Sequence, residues 1–540
     1  MKGHPISSRP FGYARDFFLI LLSCLLLVCS FPRFDLGFLA WIGLLPLLLA
    51  LHGKNPKYSF LLSLAGGILF FLGIFHWILE VPIYKLLHHG LLALYLGSYF
   101  GFFGLVFSFF SIHWGVTHAL FSAPFLWVSL EYLRSNLSFL ALPWGLFAHS
   151  QYQYPAVIQI ASLAGTYSIS FLIVMVNAAL ASVVSSFLYR SRKGNSFHLH
   201  IPSKKGKWAL GIIATSSLTF VLIYGYYITS LPIIGNGIKV SLIQGNIEQV
   251  KKWDPKYAKD IIQVYAEVTQ KATRDQPTLI IWPETATPRA INLDPSLYAE
   301  IKEIIDKAGV PLILGSAQHQ KFEETELEEL RYSNSAYLIH PGLGVMKSQR
   351  YDKIRLFPFG EYLPYKEILP WSLINVRGSG NYAAGKEFTV FEFGRIRFGV
   401  TICWENVFPQ LVRQFVRGGA QFMINITNEA RFGRTAAPYQ LASISVFRAV
   451  ENRIFVIRCA NTGVSCIIDP CGRIISRLKD QKGQDTFVQG WMSGWIIPLE
   501  SRTLYTRYGD FVAWIAIVGS LVFLLGVFRH KRRQSSVFRV

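Results

Sequence analysis

The chain has little charge for its size. Only 16% of its 540 residues are Asp, Glu, Lys or Arg, while 51% are hydrophobic, and the mean hydropathy is positive. An ordinary soluble enzyme is excluded on those figures. The deficit is also uneven. Long uncharged runs fill residues 17–230, a mixed region covers 236–500, and a last apolar run covers 511–528. That pattern is a membrane protein carrying one large soluble domain.

Cysteine is scarce as well. The six cysteines include no C-x-x-C pair and no Cys/His spacing of a zinc site, and the 13 histidines are scattered, so no metal site and no cofactor is expected. Cys24 and Cys29 lie in the first apolar run and read as small apolar residues. A small-residue cleavage site is missing after that run, and a second run follows at once, so the segment reads as a span and not a removable leader.

Acidic residues are outnumbered, 32 against 53 basic, for a net charge of +21. The excess sits beside the apolar runs, in "MKGHPISSRPFGYAR", in "YRSRKGNSFHLHIPSKKGK" (189–207) and in "RHKRR" (529–533). This is a positive-inside pattern and calls for no nucleic-acid partner. Eight spans are expected, near 15–31, 36–52, 58–79, 88–112, 117–134, 155–186, 208–232 and 511–528. The expected organisation is a transmembrane domain over 1–232 with seven spans, a soluble domain over 236–500, a final span, and a basic tail at 529–540. With an even number of spans, all three basic segments fall in the cytoplasm and the soluble domain outside it. The uncharged aromatic loop 139–155 reads as interfacial on the outer side. His76, Glu80, Glu131, Arg134 and His149 lie at or near membrane depth, mostly by span ends, and read as snorkelling or helix-pairing groups.

The soluble region alternates strands (238–246, 278–284, 310–318, 333–340, 397–403, 420–427) with helices (257–272, 296–309, 407–420) and a hairpin at 466–475. It is a layered domain of the α/β or α+β class. The acidic run 323–330 reads as a solvated helix or loop, or as a lid. At strand ends stand Glu284 in "IWPETATP", Lys353 in "YDKIRLFPFGEYLP" and Cys403 in "GVTICWEN". Each has a bland reading: a helix-terminal charge, a surface lysine, a core cysteine or half of a disulfide. Together they supply what acyl transfer needs, namely a base, a cation for the oxyanion and a thiol ahead of a helix whose dipole would favour the thiolate.

In this order the three resemble the Glu–Lys–Cys triad of the nitrilase superfamily, which implies an αββα sandwich. Over nearly its full length the chain is similar to the apolipoprotein N-acyltransferase family. "QGNIEQVKKWDP", "WPETATP", "YDKIRLFPFGEYLP", "ICWEN", "NEARFG" and "LYTRYGD" carry that resemblance, with "LPWG" and "HSQYQYP" in the membrane half. It implies Glu284 as general base and acid, Lys353 as oxyanion stabiliser and Cys403 as nucleophile. Glu361 and Glu405 would be supporting residues, Glu405 with the rival reading of a helix N-terminal charge. Trp253 would border the acyl chain. It further implies a phospholipid acyl donor, a diacylglyceryl apolipoprotein acceptor, a bilayer as surroundings and residence in a bacterial inner membrane. Two positions depart from the family pattern: Trp404 stands where tyrosine is common, and Arg431 where many relatives have tryptophan, from which a phosphate contact is one reading. At most one disulfide is expected among Cys459, Cys466 and Cys471. A membrane-anchored amidase using the same triad is the alternative enzyme, and a catalytically inert transporter or scaffold the alternative class.

Overall fold

The computed structural model describes all residues except 1–9, 83, 190–201, 253, 321–330, 344–347, 366–367, 369–381, 501–502 and 538–540. Trp253 and the acidic run 323–330 therefore lie outside the described residues. The chain divides into two units, Met1–Thr229 with Asp510–Val540, and Ser230–Gly509.

Among the described residues of the first unit, six helices are long and apolar enough to cross a membrane: Gly12–Cys29, Pro56–Ile74, Leu86–Trp114, Tyr167–Leu188, Lys204–Ser230 and Phe511–His530. Two of the eight expected spans differ, for separate reasons. The helix over 117–134 forms, as Val116–Asn136, but Glu131, Arg134 and its serines leave it less apolar than the others. The range 36–52 breaks into Gly37–Leu39, Ala40–Gly43 and Leu45–Ala50. Pro46 has no N–H to donate and its ring opposes a continuous helix. The groups freed at the break are taken up by one side chain. Asn177 Oδ1 accepts from Leu44 N and Leu45 N, both at 2.9 Å, and Asn177 Nδ2 donates to Ala40 O at 3.0 Å. The expected span at 155–186 likewise begins with two short turns, Pro155–Ile158 and Ala161–Ala164, before the long helix Tyr167–Tyr189.

Glu131 and Arg134 do not snorkel, since both are buried. Arg134 Nη1 donates to Leu142 O (2.9 Å) and Trp144 O (2.7 Å), while Glu131 Oε1 accepts from Phe147 N and from Trp127 Nε1, each at 3.0 Å. These two charges fold the loop at 142–147 into the unit, where Trp144, Leu146 and Phe147 are buried. His149 is buried too, whereas His76 and Glu80 are exposed at a helix end.

The second unit is built on twelve strands: β1 (Ile238–Gln244), β2 (Leu279–Ile281), β3 (Leu312–Gln320), β4 (Arg331–Ile339), β5 (Gln349–Asp352), β6 (Val390–Phe393), β7 (Ile396–Ile402), β8 (Phe422–Thr427), β9 (Phe455–Ala460), β10 (Cys466–Ile468), β11 (Ile474–Arg477) and β12 (Gly490–Ile496). They form two six-stranded sheets, β12-β1-β2-β3-β4-β5 and β11-β10-β9-β8-β7-β6. In each, the central strands run parallel and the outer ones antiparallel. The helices Ala258–Thr273 and Pro295–Ala308 cover the first sheet by packing Ile261, Tyr265, Val268, Ile301 and Ile305 against Ile243, Ile280, Trp282 and Leu314. Between the sheets, Cys459 Sγ of β9 points at Ile243 O and Ile281 O, 3.4 Å from each. None of the six cysteines is in a disulfide, so the one allowed among Cys459, Cys466 and Cys471 does not form. The six expected strands, three helices and the hairpin are present. The helix Ala437–Asn452 was not expected, and it is buried along nearly its whole length.

Replacing Asn177 with leucine is expected to lower the unfolding temperature of the detergent-purified protein. It strands two buried N–H groups and a carbonyl, each costing about 1–3 kcal/mol. A thermal scan that superimposes on wild type would refute the bridging role.

Candidate active site

Three turns at strand ends make the site, two from the first sheet and one from the second. After β2 the chain turns sharply through Pro283 and Glu284, with Thr285 at φ +44°. Trp282 N donates to Ile313 O (2.8 Å) and Ala286 N to Gly315 O (2.7 Å), so β3 lies close against the turn. A Cβ on residue 315 would stand 2.3 Å from Pro283 O, which restricts this position to glycine. After β5, Lys353 N donates to Asn334 O at 2.8 Å. After β7, Cys403 adopts φ +58°, a left-handed conformation costing about 1–2 kcal/mol for a residue with a side chain.

The Cys403 conformation is held from both sides. Asn425 Nδ2 donates to Cys403 O at 3.1 Å, and Arg458 Nη1 fixes Asn425 Oδ1 at 2.8 Å. Arg458 is itself buried and paired with Glu429. Glu405, fully buried, accepts four hydrogen bonds. Oε2 takes Ile402 N (2.8 Å), and Oε1 takes Tyr351 OH (2.8 Å), Ile354 N (2.8 Å) and Arg355 N (2.9 Å). It thereby ties the cysteine turn to the segment that follows Lys353. Its carboxylate also sits in the first turn of the 3₁₀ segment Cys403–Val407. Burial lifts its carboxyl to about 7 against the pull of the Arg355 and Ile402 donors.

Lys353, 1% exposed, aims Nζ at two carboxylates: Glu361 Oε1 at 2.8 Å and Glu284 Oε1 at 3.8 Å. Asn334 Nδ2 bridges the same oxygens, 2.8 Å from Glu284 and 3.2 Å from Glu361. Glu284 Oε2 accepts from Asn428 N (2.7 Å), and Glu361 Oε2 from Phe357 N (2.7 Å). Burial alone works against the Lys353 ammonium, but Glu361, Cys403 and Glu284 outweigh it and hold its pKa above the ordinary lysine range. Burial and Glu284 push the Cys403 thiol up to about 12, with Lys353 and a Thr427 hydrogen bond opposing. The expected thiolate-favouring dipole does not prevail. The regular helix Pro409–Arg417 starts only six residues further on, and the carboxylate field and burial are the larger influences.

The remaining expected residues fall as follows. Trp404 is buried between Phe357 and Phe408, with Nε1 donating to Arg355 O at 2.7 Å. Arg431 is exposed, on the 3₁₀ turn Ala430–Phe432 beyond β8. Sequence reasoning missed Asn334, Asn428, Asn425 and Lys252. Asn334 had one signal: it sits between Ser333 and Ser335 in a strand that runs apolar from Ala336 onward, and all three are buried. Among the described residues, no cluster of three or more His, Cys, Asp or Glu is placed to hold a metal.

Comparison with known proteins matches residues 23–179 to the model of the apolipoprotein N-acyltransferase N-terminal domain and residues 239–489 to that of the carbon-nitrogen hydrolases. The apolipoprotein N-acyltransferase of Geobacter metallireducens is 35% identical over 96% of this chain and 96% of its own. The chain belongs to the apolipoprotein N-acyltransferase family. Its relative from Chlorobaculum tepidum is 31% identical over 93% of this chain and 95% of its own, and that of Haemophilus ducreyi 27% over 95% and 98%. In this member of the family, Glu284, Lys353 and Cys403 all fall within the carbon-nitrogen hydrolase match.

With the thiol pushed up to about 12, direct alkylation of Cys403 should be slow at neutral pH. Below the pKa the thiolate fraction grows tenfold per pH unit, so the iodoacetamide rate should climb by about that factor per unit between about pH 7 and 10. Peptide mapping of the labelled cysteine gives the rate. A profile already level below about pH 9 would contradict the raised pKa.

Proposed function

We propose that this enzyme moves an acyl chain from a membrane phospholipid to the free α-amino group of a diacylglyceryl-cysteine at the N-terminus of apolipoproteins. The observation that carries this reading is the Glu284–Asn334–Glu361–Lys353 hydrogen-bonded set beside a strained Cys403, in a chain similar to N-acyltransferases over 96% of its length. Membership of the family and the multi-pass membrane unit support lipid-borne substrates.

The chemistry runs in two halves. In the first, Glu284 takes the Cys403 proton as sulfur attacks the ester carbonyl, and Lys353 donates to the oxyanion. The ester C–O bond breaks, Glu284 returns the proton to the leaving oxygen, and a lysophospholipid departs from the thioester. In the second, the neutral α-amine attacks the thioester carbonyl. Glu284 removes the ammonium proton, the C–S bond breaks, and sulfur recovers its proton. An α-amine with a pKa of about 7.7–8.0 is about one-tenth to one-sixth neutral at pH 7, far more than a lysine at about 10.4. Glu361 pairs with Lys353 and positions it. Glu405 and Asn425 keep Cys403 in its left-handed turn.

The basic segments support cytoplasmic termini and a catalytic unit on the outer face of a bacterial inner membrane. The bilayer then supplies both substrates to one side. Trp253 and Arg431 are the residues of the sequence reading that remain as substrate contacts.

The test is intact-protein mass spectrometry of the detergent-purified enzyme after incubation with a phospholipid. A hydroxylamine-labile gain of one acyl chain is expected on wild type and none on Cys403→Ser. Lys353→Met should acylate about 10²–10³ times more slowly. Turnover of small amides without any acyl adduct would favour the amidase instead.

A further inference from the structure

Lys252 has no part in the chemistry just described, yet it stands at the site. Its side chain is 2% exposed, and Nζ donates to the main-chain oxygen of Glu284 at 3.1 Å. That one acceptor leaves two of the three ammonium N–H groups without a hydrogen bond among the described residues. No described carboxylate lies within ion-pair distance of it, in contrast to Lys353, which has two. A buried ammonium with neither a close counter-ion nor a full set of acceptors is costly.

Its surroundings make matters worse. Burial and the neighbouring Arg431 push the Lys252 pKa down to about 7, although Glu284 and Cys403 pull the other way. Arg431 stands three residues past Asn428, whose N–H binds the Glu284 carboxylate, and its charge is felt at Tyr382, which also senses Glu284, Glu361 and Lys353. Among the described residues Arg431 makes no ion pair. Lys252, buried with one main-chain acceptor, and exposed Arg431 therefore repel one another when both are charged. An anion lying between them would supply the missing acceptors and remove the repulsion.

We propose that Lys252 and Arg431 form the binding site for the phosphodiester group of the acyl donor, Lys252 as an inner point charge and Arg431 as an outer guanidinium fork. This rests on the donor being a phospholipid. The phosphodiester would thus be anchored beside Glu284 while the ester carbonyl reaches Cys403. Free inorganic phosphate shares the chemistry, and the test separates the two.

The experiment follows Cys403 acylation by intact mass, in the full chain in detergent, with two donors. One is phosphatidylglycerol and the other is p-nitrophenyl palmitate, which has no phosphate. For Lys252→Met and Arg431→Ala, the ratio of phospholipid rate to ester rate is expected to fall about 10- to 100-fold. Arg431→Lys, which keeps the charge but loses the fork, should fall between Arg431→Ala and wild type. Inorganic phosphate should leave the wild-type ratio unchanged. An equal loss on both donors in Lys252→Met would mean that it only supports the Glu284 turn, and an unchanged ratio in exposed Arg431→Ala would overturn the site without any question of folding. A wild-type ratio that collapses on adding phosphate, with the variants indifferent, would assign the site to the free ion. A wild type acylated by the ester and by no phospholipid would remove the donor reading itself, a result distinct from the other failures.

Discussion

The buried ammonium of Lys353 is the constraint around which the catalytic unit is arranged. A lysine with 1% exposure cannot keep its proton unless carboxylates are held against it, and Glu361 at 2.8 Å and Glu284 at 3.8 Å do so. Those carboxylates must in turn be prevented from turning away. Asn334 from β4 grips one oxygen of each, and main-chain N–H groups of Asn428 and Phe357 grip the others. Asn428 follows a strand of the second sheet, so the same network spans both sheets. Glu284 and Lys353 are both placed by this one network.

The thiol is placed by a second network that shares almost no atoms with the first. Glu405 joins the cysteine turn to Ile354 and Arg355, directly after Lys353, and Arg458 through Asn425 holds the Cys403 carbonyl. The two networks come together at the Lys353 segment and again at the neighbouring residues Asn428 and Glu429. Burial and the Glu284 carboxylate push the Cys403 thiol up to about 12, which keeps the resting sulfur protonated near neutral pH. A permanently ionised thiol would be open to adventitious chemistry.

Much of this could be read from the sequence, and the limits have physical causes. Strands such as "IKVSLIQGN" and "RFGVTIC" announce themselves through β-branched residues and turn punctuation, and the triad through its flanking words. The helix Ala437–Asn452 did not, because burial on all sides removes the polar face that gives a helix its period. Asn334, Asn425 and Asn428 were missed for a related reason. Amides that bond to a distant turn look, along the chain, like ordinary polar residues. In the membrane unit, composition overcounts. The leucines of 36–52 satisfy a hydropathy window, but Pro46 and the polar side chain of Asn177 decide what backbone forms there. Glu131 and Arg134 read as span-end charges, and only the folded loop at 142–147 reveals what they bind.

The Asn177 bridge has a bearing on how the chain is made. Leu44 and its acceptor are 133 residues apart in sequence. At synthesis rates of about 5–20 residues per second, the segment Gly37–Ala50 leaves the ribosome roughly 7–27 s before Asn177 does. For that interval its broken backbone has no protein partner for two N–H groups and a carbonyl, and hydrocarbon offers none. The three bonds can close only when the helix Tyr167–Tyr189 is delivered beside the segment. The native form of Gly37–Ala50 is thus completed out of translation order, after a helix made more than a hundred residues later.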